Sequence, residues 1–184
     1  MFQKIYLFSL ASLSFIFVLP EANAKIQEFK LKENSFSAEL PAGWLHVEDA
    51  LNVPLTLFSP MGSNEYRTVV QVTPANFTDK NDLMKKVPKD SEEYVRQKED
   101  WLENVDGQSI SYDSYHEEMI AGGGSVFSIG VTYSIPAGKF HQQTFYVSDK
   151  NKRLYFITSL TPLDLDEKNQ VALQSITRSI ASVK

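Results

Sequence analysis

The side chains able to move protons or hold metals are few and widely spaced. Histidine occurs three times, at His46, His116 and His141, and cysteine is absent. Without thiolates there is no disulfide, no Cys-ligated zinc, no iron–sulfur cluster and no cysteine nucleophile. A Ser-His-Asp arrangement needs an activated serine beside an imidazole. No G-x-S-x-G elbow occurs, and Ser125 after the glycine run lacks the flanking residues. What remains on the catalytic side is a hydrolase using His116 or His141 with a carboxylate brought from elsewhere in the chain. His116-Glu117-Glu118 stops short of H-E-x-x-H and reads as a polar strand end. Asp164-Leu165-Asp166-Glu167 and the acids from Glu99 to Asp106 lack the glycine on which a calcium loop turns. Gly122-Gly123-Gly124 lacks the Lys-Ser/Thr of a P-loop and runs straight into a strand pattern, so it reads as a hairpin turn. The expectation is no catalytic residue, no metal and no cofactor.

Binding is the better use of the polar aromatics. Tyr112, Tyr115 and His116 cluster in sequence downstream of Trp101, and exposed aromatics rimmed by polar groups mark recognition surfaces. These three residues are the candidate ligand or partner surface. Trp44 and Trp101 are assigned to the core. The excursion from Pro74 to Asp90 is polar and bounded by prolines, and a small ligand held between it and the sheet is a further possibility.

The elements that must position these residues are mostly strands. Phe127, Ile129, Val131, Tyr133 and Ile135 alternate with polar or small residues, the pattern of a half-buried strand. Pro136 to Lys139 turns the chain, Phe140 to Ser148 returns, Ser148 to Lys152 turns again, and Arg153 to Leu160 completes an antiparallel meander. Upstream strands are expected at Ile26–Leu31, Phe36–Leu40, Leu55–Phe58 and Tyr66–Thr73. Gln108–Glu117 is expected as one strand pairing with Ser125–Ile135. Helical spacing marks Ser91–Val105, with Tyr94, Lys98, Trp101 and Val105 on one face, and Leu163–Val183, with Leu173, Ile176, Ile180 and Val183 forming the stripe. The class is α+β, an antiparallel sheet flanked by helices.

Composition sets the compartment and the partners. The 184 residues carry 18 Lys and Arg against 23 Asp and Glu, a net charge of -5. That balance offers no field for a phosphate backbone, which excludes nucleic acid as a partner class. Lys4, the apolar run from Ile5 to Leu19 and the ending Ala22-Asn23-Ala24 are the parts of a secretory signal peptide, with cleavage expected after Ala24. A bilayer span takes about 20 apolar residues, so no integral span is expected once residues 1–24 are removed. Residues 25–184 then form one domain, periplasmic or secreted, of a size that folds on its own core without disulfides.

Phe36-Ser37-Ala38-Glu39-Leu40-Pro41-Ala42-Gly43-Trp44 resembles the opening of the PsbP-like family, which includes the extrinsic photosystem subunit and bacterial relatives. Leu57-Phe58-Ser59-Pro60, the Val70 and Val72 strand, a Trp-bearing middle helix, Tyr155-Phe156-Ile157-Thr158 and a closing helix from Ile176 to Ile180 extend the resemblance over nearly all of the mature chain. It implies a PsbP-like antiparallel sheet with flanking helices and a non-catalytic accessory or binding role through a protein or envelope partner. It brings no catalytic residue, because the shared motifs are structural.

Overall fold

The computed structural model describes residues 24–31, 34–50, 53–62, 66–75, 91–120 and 123–183. The expected signal peptide up to Asn23 and the excursion from Asn76 to Asp90 lie outside them. Among the described residues, strands β1 (Lys25–Leu31) and β2 (Asn34–Leu40) pair with a short last strand, β11 (Ala181–Ser182), in a three-stranded sheet. The larger sheet contains β3 (Leu45–Ala50), β4 (Val53–Phe58), β5 (Val69–Ala75), β6 (Gln108–Tyr112), β7 (His116–Ile120), β8 (Gly124–Ile135), β9 (Gly138–Ser148) and β10 (Leu154–Pro162). Its order is β3-β4-β5-β10-β9-β8-β6, with β7 also on β8. Every pairing is antiparallel. Helix α1 (Ser91–Asn104) packs on one face of this sheet. Helix α2 (Asp166–Ser179), entered through a 3-10 turn at Leu163–Leu165, packs on the other face with the small sheet.

The period of two in the meander sorts its side chains between two cores. Ile129, Val131 and Tyr133 of β8 join Tyr94 and Leu102 of α1 in one cluster. The opposite face supplies Val126, Phe145, Val147 and Ile157 to the larger cluster, which α2 closes with Leu173 and Ile176. Chain reversals use local chemistry. Trp44 N–H donates to the Pro41 carbonyl at 3.1 Å across a turn in which Gly43 takes φ +76°, the left-handed position that glycine occupies without a steric cost. Trp44 follows at 7% exposure, in the core as expected.

Between β9 and β10 the turn is organised by Asp149, which is only 1% exposed. Its Oδ1 accepts the N–H groups of Asn151 at 2.8 Å and Arg153 at 2.9 Å, and its Oδ2 accepts that of Ser182 at 2.7 Å. One carboxylate thus sets the hairpin and ties it to β11. Asp149→Ala leaves three amides without that acceptor, and a loss of about 2 kcal/mol is expected in urea unfolding, with Asp149→Asn retaining part of it.

One strand is added to the sequence expectations and three expectations are corrected. Strand β3 pairs with β4 although its Leu45 and Val47 are 60% and 45% exposed, so it carries no buried stripe by which to be seen. Gln108–Glu117 is two strands, broken at Asp113–Tyr115, where Asp113 N–H turns to the Gly130 carbonyl at 3.0 Å. Helix α2 starts at Asp166 and stops at Ser179, because Ile180 takes ψ 124° and the chain leaves to pair with β2. Trp101 is 39% exposed, since α1 buries Tyr94 and Leu102 and leaves the indole at the edge. Its contribution to stability is that of a half-covered side chain.

Candidate functional site

The face of α2 toward the sheet carries polar residues at helical spacing: Asp166, Gln170, Gln174 and Arg178 follow one another at intervals of four. Below them, β7, β8 and β9 present His116, Glu118, Ser128 and Gln143 on the same side of the sheet, because Ser128 pairs with both His116 and Phe145, and Gly130 with Gln143. Contacts at both ends of the helix fix its position over these strands. Asn169 Nδ2 donates to Thr68 Oγ1 at 2.7 Å in a buried pair, and the Glu39 N–H of β2 donates to Ser179 Oγ at 2.8 Å.

At the N-terminal end lies a charged cluster that no local motif announces. His141 on β9, 7% exposed, donates from Nδ1 to Asp166 Oδ1 at 2.8 Å and from Nε2 to Asp113 Oδ2 at 2.9 Å. Burial by itself lowers the imidazole pKa. The hydrogen bonds and charges of the two aspartates outweigh it and raise the value to about 9. Asp166 shows the complementary balance: burial raises it, and the bonds from His141 and Gln170 bring it below the usual carboxylate range. His141 is therefore a cation at neutral pH with both N–H groups committed and no lone pair left to accept a proton. Gly130 is required here, since a Cβ on it would collide with the Asp113 carboxylate and come within 3.0 Å of the Gln142 carbonyl oxygen.

The same strip continues as Gln170 Nε2 donating to Gln143 Oε1 at 3.0 Å. It ends in a two-point pair, with Arg178 Nε to Glu118 Oε1 at 2.9 Å and Nη2 to Glu118 Oε2 at 2.8 Å. The arginine holds Glu118 below the usual carboxylate range. An exposed pair of this kind is worth at most about 1 kcal/mol, so its larger effect is to place charge at the mouth of the site.

Between the two charged ends runs a groove of about 300 Å³ with Val126, Ser128 and Phe145 among the sheet residues that line it and Gln174 and Thr177 on the helix. Ser114, Ser128 and Gln174 line it with no side-chain hydrogen bond to the protein among the described residues.

Of the three residues expected to form a recognition surface, only His116 lines this groove. Tyr112 turns to the opposite side, where its hydroxyl donates to Glu99 Oε1 at 2.7 Å and its ring meets Tyr94 edge-on at 6.2 Å. Tyr115, 40% exposed, lies against Phe127 with ring centroids 6.0 Å apart. The break at Asp113–Tyr115 parts them, because it ends one strand before the next begins. Asp113 and Asp166, which clasp the histidine, lie 28 and 25 residues from it and were invisible as partners. The available signal was a single histidine inside the Phe140–Ser148 strand, at the centre of the expected meander.

The fold is PsbP-like. The chain is similar to the solution structure of cyanobacterial PsbP (CyanoP) from Synechocystis sp. PCC 6803, with a TM-score of 0.53 and 11% identity over 87% of this chain and 94% of that one. It is also similar to the crystal structure of LpqN from Mycobacterium tuberculosis, with a TM-score of 0.56 and 12% identity over 87% of this chain and 92% of that one. At these identities the likeness establishes the fold alone. No protein-family profile and no curated protein sequence matches the chain.

Proposed function

We propose that this protein is an exported, non-catalytic accessory domain that recognises a protein or envelope component through the groove between α2 and strands β7 to β9. The observation that carries the reading is the groove itself: two firmly fixed walls, charged groups clamped at each end, and polar side chains between them that bond to no other side chain among the described residues. Export is supported by the signal-peptide pattern, and the first described strand begins at Lys25, directly after the expected cleavage point. LpqN, which has this fold, is described as involved in cell envelope biogenesis, and an envelope partner for this chain is consistent with that. The hydrolase alternative loses its base at His141, where both nitrogens are donors, and the Glu118 carboxylate beside His116 is held by Arg178.

A photo-crosslinking residue placed at Gln174 in the full chain, in the native envelope, tests this reading. One at Arg96 on exposed α1 is the control. The expected result is a reproducible adduct from position 174 that position 96 does not give, on a protein whose mass places its N-terminus at Lys25. Equal background from both positions overturns the groove as the recognition surface, and an uncleaved chain in the cytoplasm overturns export.

A further inference from the structure

On the opposite face of the sheet, Lys98 of α1 is a cation in an unusual position. Its Nζ donates to Gln142 Oε1 at 2.9 Å and lies 5.4 Å from the ring centroid of Trp101 and 5.9 Å from that of Tyr94. Among the described residues no carboxylate pairs with it. Burial lowers its pKa, so the ammonium has given up water for a neutral amide and two ring faces.

Next to it opens a cleft of about 290 Å³ lined by Val69, Gln71, Trp101, Tyr133, Gln142 and Leu160, together with Thr158. Trp101 stands edge-on to Tyr133 at 5.3 Å and keeps 39% of its surface exposed. At about 30 Å³ for a water-sized group, the cleft has room for roughly ten heavy atoms, the scale of a small ligand. Most of its wall is aromatic or aliphatic. Its polar lining residues are Gln71 and Gln142, with neutral amides, and Thr158 and Tyr133, with hydroxyls, and the Lys98 ammonium is bonded to the Gln142 amide.

We propose that this cleft binds a small amphiphilic monoanion, its apolar body against Trp101, Tyr133 and Leu160 and its carboxylate on Lys98. Charge complementarity selects the head group. A bond from a partly dehydrated ammonium to a carboxylate carries charge on both partners and is stronger than the present one to a neutral amide, and the Gln142 amide can turn to present its N–H₂ as a second donor. A phosphate dianion is less well matched, because among the described residues Lys98 is the one cation that contacts the lining side chains. The apolar wall selects the body, since a small hydrophilic acid would leave the indole as wet as it is now.

Decanoate is the probe, titrated into the mature full-length protein below its micelle concentration and followed by tryptophan emission. Trp101 reports the cleft, while Trp44, 7% exposed in the other core, is insulated from it. The expected result is saturable binding that weakens at least tenfold in Lys98→Met, which keeps the apolar stem, and at least tenfold when decanol replaces decanoate. Lys98→Gln serves the same purpose if the methionine variant fails to give native far-UV circular dichroism. Absence of saturation overturns the proposal. So does equal binding by Lys98→Met, Lys98→Gln or decanol, which would leave Lys98 as a cover for the core. This site shares no lining residue with the α2 groove, so its failure leaves the crosslinking result at Gln174 untouched.

Discussion

His141→Ala is expected to destabilise the protein by about 3 to 5 kcal/mol, measured as the shift in its urea unfolding curve. The cost comes from what is left behind. Asp113 and Asp166 converge on one imidazole from different elements, and their side chains are 34% and 24% exposed. Removing the cation between them leaves two partly desolvated carboxylates facing a void. The control is to neutralise all three positions: Asp113→Asn and Asp166→Asn combined with His141→Gln should recover much of the loss, because no uncompensated charge then remains. A cost below about 1 kcal/mol for His141→Ala would show that the cluster is not a structural clasp.

The same cluster makes stability depend on pH in a defined window. The folded-state pKa of His141 is raised to about 9 from an ordinary 6.5. Its contribution is complete below about pH 6.5, where folded and unfolded chains are both protonated. Between 6.5 and 9 the unfolded chain has released its proton and the folded chain has not, so unfolding becomes easier by about 1.4 kcal/mol per pH unit, about 3 kcal/mol in all. Asp166, with a lowered pKa, works at the other end: its contribution is present above the ordinary carboxylate value and is lost as the solution is acidified through its folded pKa. Wild-type stability should therefore be flat from about pH 5 to 6.5 and fall toward pH 9, and His141→Ala should remove that alkaline slope.

The parts of this molecule that were legible in its sequence are those whose physics is local. Alternation from Phe127 to Ile135 marks β8 because one side of the strand meets α1 and the other meets α2, and each face has its own composition. The turn at Gly43 and the stripe through Leu173 and Ile176 are visible for the same reason. Strand β3 was hidden because an edge strand with exposed Leu45 and Val47 shows no contrast between its faces. The end of α2 was hidden because β11 exists only by pairing with β2, whose partner residues lie more than a hundred positions earlier. The site was least legible of all. Asp113, His141 and Asp166 sit on a strand break, a central strand and a helix start, and only register brings them together. Tyr112 and Tyr115, three positions apart in the chain, lie at the two ends of that same break.

Phe36→Ala is expected to cost about 3 to 5 kcal/mol, and its consequences should reach beyond the cavity. Phe36 lies on β2 of the small sheet and is 0% exposed. Its ring is 5.5 Å from Phe29 on β1 and 5.5 Å from Tyr155 on β10, near the middle of the large sheet. It therefore joins the two sheets, with Leu173 and Ile176 of α2 in the same cluster. Truncating it removes contacts on three elements whose backbones are held by their own ladders and cannot close around the void. Phe36→Leu, which keeps most of the volume, should cost about 1 to 2 kcal/mol. Because β2 also supplies the Glu39 N–H that bonds to Ser179 Oγ and pairs with β11 just beyond the helix, loosening β2 loosens the C-terminal anchor of α2. Hydrogen exchange should then show β2, β11 and the last turns of α2 losing protection together while β8 and β9 keep theirs. Uniform loss across both sheets would mean that the small sheet and the helix do not open as a unit, and that the wall of the groove is held from the large sheet alone.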